Sequence, residues 1–136
     1  MAGIFSKIVS GEIPCYKIAE DDNFLAFLDI NPLAAGHCLV IPKKETDYIF
    51  HINDAELSAM MIFAKKVALA IEKAIPCKRI GVAVVGLEVP HAHIHLIPIN
   101  NVEDINFARP KLKPAQCELG DTAARIKVHV LLQLRK

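Results

Sequence analysis

The 136-residue chain has no Cys-x-x-Cys pair, no strong charge of either sign, no long apolar run and no internal repeat or low-complexity tract. Each absence excludes something. Without cysteines at metal-ligand spacing, Cys15, Cys38, Cys77 and Cys117 read as buried or free thiols of a reducing compartment, ahead of a disulfide framework or zinc site. A net charge of +1 gives no bulk attraction to nucleic acid or to a membrane surface. No stretch approaches the ~20 apolar residues of a membrane span. The opening ten residues are too mixed for the apolar core of a signal peptide. The expectation is a cytoplasmic protein folded as a single domain over residues 1–136. Its 53% hydrophobic content hints at a buried subunit interface.

What is present reads as α+β. Ile4 to Val9 fits a short helical turn stopped at Ser10-Gly11. Cys15–Glu20, Phe24–Asp29 and His37–Ile41 read as strands separated by Asp21-Asp22-Asn23 and by Asn31-Pro32. Asn53, with Glu56 three residues on, caps a long helix whose apolar stripe is Leu57, Met60, Met61, Ala64, Val67, Ala68, Ile71 and Ile75; Pro76 ends it. Arg79–Val85 and His91–Ile97 read as an antiparallel pair joined through Gly86. Gly120 interrupts a candidate helix in Pro114–Lys127, and Lys127–Leu134 leaves helix and strand open. The pattern predicts a five-stranded, mostly antiparallel sheet with one long helix and a short N-terminal helix.

The densest chemistry lies in Val89-Pro90-His91-Ala92-His93-Ile94-His95-Leu96, which holds half of the chain's six histidines within five residues. A strand repeats every two residues, so the three imidazoles leave one face while Ala92, Ile94 and Leu96 point into a core. Imidazole serves near neutrality as nucleophile, acid, base or metal ligand. A His-rich solvated face is the bland alternative. His37 and His51 read as local, structural histidines.

These residues resemble the histidine triad (HIT) superfamily of nucleotide hydrolases and transferases, nearest its nucleoside-phosphoramidase branch. Three blocks carry the likeness in order: Ile4-Phe5-Ser6-Lys7-Ile8-Val9-Ser10-Gly11-Glu12-Ile13-Pro14, Phe27-Leu28-Asp29-Ile30-Asn31-Pro32 leading through Gly36-His37 to Lys44, and His91 to Ile97. The resemblance implies a homodimer whose two sheets join into one of ten strands, acting on a purine nucleotide without cofactor or metal. His93 would attack the α-phosphate and carry the nucleotidyl group, His91 would orient it, and His95 would contact a phosphate oxygen. Asp29 would hold the ribose hydroxyls, unless it only forms a turn. Phe5, Ile8 and Phe27 would sandwich the base, unless they are simply core. Backbone N–H groups around Gly86 to Val89 would receive the phosphate, with Glu88 able to orient a histidine.

The departures are specific. The hairpin before the triad is short, and Leu87 stands where relatives often carry a polar amide. Ser6 and Glu45 occupy positions where some relatives place a cysteine and a histidine of a structural zinc site, so no structural zinc is expected. Two rivals remain at this point. One is a metal-dependent hydrolase using the histidines as ligands, although alternate residues ~7 Å apart converge on one ion only with strand distortion. The other is a nucleotide-binding protein with little turnover. In the family the C-terminal region reaches towards the dimer partner's active site, so the resemblance also implies that Arg109–Pro114 tunes specificity.

Overall fold

A computed structural model describes residues 3–134. The strands are β1 (Lys17–Glu20), β2 (Phe24–Leu28), β3 (Cys38–Pro42), β4 (Arg79–Ala83) and β5 (Ile94–Ile99); the helices are α1 (Ile4–Ser10), α2 (Asp54–Ala74) and α3 (Gln116–Leu134). One sheet runs in the order β1-β2-β3-β5-β4 with every neighbouring pair antiparallel. Its central strands β2 and β3 are buried along their whole length.

The period-two alternation of these strands divides the core into two layers. Phe24, Ala26, Leu28, Cys38, Val40, Ile94 and Leu96 face α2 and α3. Leu25, Phe27, Leu39 and Ile41 face the other way and pack against Phe5 of α1. Gly11 terminates α1 in the left-handed conformation, as expected at Ser10-Gly11. The Asn53 side chain accepts from the Glu56 N–H at 2.8 Å and caps α2. On that helix Met60 is fully buried, whereas Met61 is 46% exposed and belongs to no core layer.

Three expectations need correction. The long-helix count is two, because α3 runs through Gly120 without a break. Nothing lies within 4 Å of where a Gly120 Cβ would stand, so this glycine buys no close approach. Its intrinsic cost of about 0.5–1 kcal/mol is outweighed by burial of Leu119, Ala123, Ile126 and Val130 in the main core. Second, β4 stops at Ala83, leaving residues 84–87 as loop. Third, β5 starts at Ile94, so His91 and His93 precede the strand instead of lying within it.

Candidate functional site

The three histidines of the short motif are buried, His91 at 1% and His93 and His95 at 7% exposure. This excludes the solvated-face reading. Alternation survives the irregular backbone, since Ala92 and Ile94 enter the main core while the imidazoles gather beside α1. The Phe5 ring meets His91 edge-on at 5.7 Å and His93 at 5.2 Å, and His93 meets His95 at 4.8 Å between ring centroids.

Hydrogen bonds assign the tautomers, because a carbonyl only accepts and a backbone N–H only donates. His93 Nδ1 lies 2.7 Å from the His91 carbonyl oxygen. It therefore carries a proton, and the lone pair of the neutral tautomer lies on Nε2. His91 Nε2 donates to the Pro42 carbonyl at 2.7 Å, and its buried Nδ1 has no partner among the described residues. His37 joins them. The Leu33 N–H donates to His37 Nδ1 at 3.0 Å, which fixes the His37 proton on Nε2, 3.0 Å from His95 Nδ1. His95 then accepts there and presents Nε2–H as a donor. Burial holds His37 down at about 3 and His95 at about 4, with neighbouring imidazoles and the Lys111 charge adding to the effect. His91 is lowered for the same leading reason. The hydrogen-bonded His37–His95 pair is neutral at physiological pH.

Asp29 forms a turn and also lies beside the histidines. Its Oδ1 accepts from the Asn31 N–H at 2.8 Å in a turn, while Oδ2 lies 3.7 Å from His37 Nε2. Burial raises its carboxyl above the usual range, with the Asn31 bond and Lys111 opposing. Phe5 and Phe27 pack edge-to-face at 5.6 Å, with Ile8 and Val89 at the margin of the same apolar layer. Gly86 turns the loop with φ +72°, and Glu88 is exposed upon it.

The pattern of the HIT domain family matches residues 10–102 of this sequence. The chain belongs to the histidine triad family. It is 41% identical over 105 residues to an adenosine 5'-monophosphoramidase of Schizosaccharomyces pombe, covering 76% of this chain and 78% of that protein. A HIT-like protein of Borreliella burgdorferi is 37% identical over 113 residues, 78% of this chain and 81% of that one. The crystal structure of a HIT-like protein involved in cell-cycle regulation from Bartonella henselae aligns with a TM-score of 0.81 and 31% identity, over 93% of this chain and 95% of the other.

Within this histidine triad fold, several local features belong to this chain. Ser6 Oγ and the Gly3 N–H both donate to Glu45 Oε1, at 2.8 and 2.9 Å. These bonds hold the Glu45 carboxyl below its usual range and fasten α1, with Phe5, over the histidines. Cys38 is fully buried and Cys15 half-buried, and none of the four cysteines is bonded to another. Asp29, His37 and His95 bring donor atoms within 4.8 Å of one another, a spacing that a metal could use. The tautomers argue against it: a metal on His37 Nε2 would displace a proton that has nowhere to go, since Nδ1 already faces the Leu33 N–H. His37 and His95 form a hydrogen-bond relay, with the Asp29 carboxyl beside it at 3.7 Å.

Two contributors escaped the sequence reading. His37 makes the local bond expected of it but also enters the site through His95. Its signal was the Gly36-His37 step following the Asp29 turn. The other is the segment after β5. Phe107 stacks edge-on over His95 at 4.7 Å and near His37 at 6.4 Å, and Lys111 sits 5.2 Å from the Phe107 ring while donating to its carbonyl at 2.8 Å. The Leu112 N–H donates to the Pro32 carbonyl at 2.8 Å, tying the segment beside Asp29. This strap, Phe107 to Leu112, lies over the chain's own His95 and beside Asp29. No periodicity in residues 100–115 announces this.

Proposed function

We propose that this chain hydrolyses a purine nucleoside phosphoramidate, or a related nucleotide, at the α-phosphate through a covalent nucleotidyl-His93 intermediate. The observation that carries the reading is the His93 Nδ1–H bond to the His91 carbonyl, which leaves the Nε2 lone pair as a nucleophile oriented by its neighbour's backbone. A bond forms between Nε2 and phosphorus as the bond to the leaving amine breaks, and the amine nitrogen collects a proton. Water then cleaves the phosphorus–imidazole bond, releasing the nucleoside monophosphate and restoring the proton. One water is consumed overall.

In this reading His95 Nε2–H donates to a phosphate oxygen, its tautomer kept by His37. Backbone N–H groups of Gly86, Glu88 and Val89 receive the remaining charge. Asp29 Oδ2 accepts from the ribose hydroxyls, and Phe5, Ile8 and Phe27 bound the base. The phosphoramidase name of the yeast relative supports the substrate class. We further infer a cytosolic homodimer. The β4 edge is unpaired on its outer side with Val82 52% exposed, and Ile62 and Leu69 of α2 are exposed at 57% and 43%; such apolar edges are normally covered. Four unbonded cysteines suit a reducing compartment.

The test is hydrolysis of an adenosine phosphoramidate with a fluorescent leaving amine, by the chain and by His93→Ala, with and without EDTA. Turnover that resists EDTA and falls by about 10³-fold or more in the variant is expected. Loss with EDTA would return the histidines to a metal, and AMP binding without turnover would leave a binding protein.

A further inference from the structure

Lys111 is a cation held over the site with no acid of its own among the described residues. Lys17 and Lys43 are paired with Glu20, and Arg109 with Asp104. The exposed Lys111 ammonium donates instead to the Phe107 carbonyl at 2.8 Å. It lies 5.2 Å from the centre of the Phe107 ring, and that ring meets His95 edge-on at 4.7 Å. The bond from the Leu112 N–H to the Pro32 carbonyl anchors the next residue, so the Lys111 stem starts from a fixed point beside the Asp29 turn. Its charge reaches the whole cluster. Burial is the chief cause that lowers His37 and His95, and the Lys111 ammonium lowers both further; at Asp29 it opposes the burial that raises the carboxyl.

A nucleotide would need such a charge. The α-phosphate is anionic, yet the groups assigned to it above, His95 Nε2–H and the backbone N–H groups of Gly86, Glu88 and Val89, are all neutral donors. Asp29, at the ribose end of that reading, and Glu88, exposed on the phosphate loop, add charge of the phosphate's own sign. Resting on that reading, we propose that Lys111 is a nucleotide-binding residue, which exchanges the Phe107 carbonyl for a phosphate oxygen when the site is filled. The exchange gives up a bond to a neutral carbonyl for a stronger one between opposite charges. It requires only side-chain rotation, because the ammonium carries three N–H donors on a flexible four-carbon stem. The Phe107 ring beneath keeps that stem on the His95 side of the strap.

The test measures Kd for AMP and for adenosine with the native chain, Lys111→Gln and Lys111→Arg, at ~50 mM and ~0.5 M NaCl. Gln keeps a donor for the Phe107 carbonyl and loses the charge, whereas Arg keeps both. Lys111→Gln is expected to weaken AMP by about tenfold at the lower salt and by about twofold or less at the higher, with adenosine unchanged. Lys111→Arg should bind AMP within about twofold of the native chain. Equal weakening of AMP and adenosine overturns the proposal and leaves Lys111 a fastening of the strap. Unchanged AMP affinity in Lys111→Gln overturns it too, as does a loss of the same size in Lys111→Arg, since charge is then not what counts. If AMP binds through Lys111 but no phosphoramidate is cleaved, the catalytic reading fails and this assignment stands. If the native chain binds no AMP, both fail.

Discussion

At the scale of single residues, the site is governed by where protons are pinned. The Leu33 N–H dictates the tautomer of His37, which dictates that of His95. Both imidazoles are held neutral, near 3 and 4. The consequence for stability has a definite sign. A histidine with a depressed folded-state pKa binds fewer protons folded than unfolded below about pH 6.5. The stability it supports is therefore complete above that pH and is lost as pH falls from about 6.5 towards 4. Urea midpoints measured across that window should decline steadily. In His37→Phe the decline should be shallower, because one of the two depressed groups is gone. At pH 7.5 the same variant should be less stable by about 1–3 kcal/mol, the cost of orphaning the buried Leu33 N–H and His95 Nδ1. A variant with an unchanged pH slope would show that His37 does not contribute.

At the scale of elements, two glycines make opposite predictions. Gly36 holds φ at +92°, and a Cβ there would stand 2.9 Å from Ile75 and 3.2 Å from Pro98. The close approach packs the backbone just before β3 against the end of α2, so Gly36→Ala should cost about 2–4 kcal/mol through backbone strain and overpacking. Gly120 lies inside α3 with open space around it. Gly120→Ala should stabilise by about 0.5–1 kcal/mol through helix propensity alone. Thermal melts of the two variants check both, and a stabilising Gly36→Ala would contradict the packing described for this corner. The strap behaves as an element too, its Phe107 ring and Leu112 N–H placing irregular chain over the relay.

For the whole molecule, the sheet ends on two unlike edges. Short β1 sits at one, with Lys17 and Glu20 paired to each other on it, an arrangement that discourages further strand pairing. β4 at the other carries exposed valine and lies beside the exposed Ile62 and Leu69 of α2. If the chain is the proposed homodimer, Val82→Lys should shift it to monomer in sedimentation at micromolar concentration, while circular dichroism stays native. A variant that remains dimeric would move the interface elsewhere. No described helix is long and apolar enough to cross a membrane, so these exposed side chains are not part of a helical span.

Legibility followed the range of the forces involved. Period-two and period-3.6 patterns, the Asn53 cap and the Gly11 stop are local, and they placed the five strands, α1 and α2 within a few residues. The motif His91-Ala92-His93-Ile94-His95 likewise announced that its imidazoles would gather, because a backbone repeat puts alternate side chains on one side even where the strand is irregular. α3 was obscured by Gly120, whose local cost only the distant core could override. What the tertiary structure alone decided was the company each histidine keeps. His37 and His95 stand 58 residues apart and meet at 3.0 Å. Phe107 crosses them from a segment with no repeat of its own. The sequence by itself determined which groups are able to react. Packing determined which nitrogen holds each proton, since that depends on a donor or acceptor brought from elsewhere in the chain.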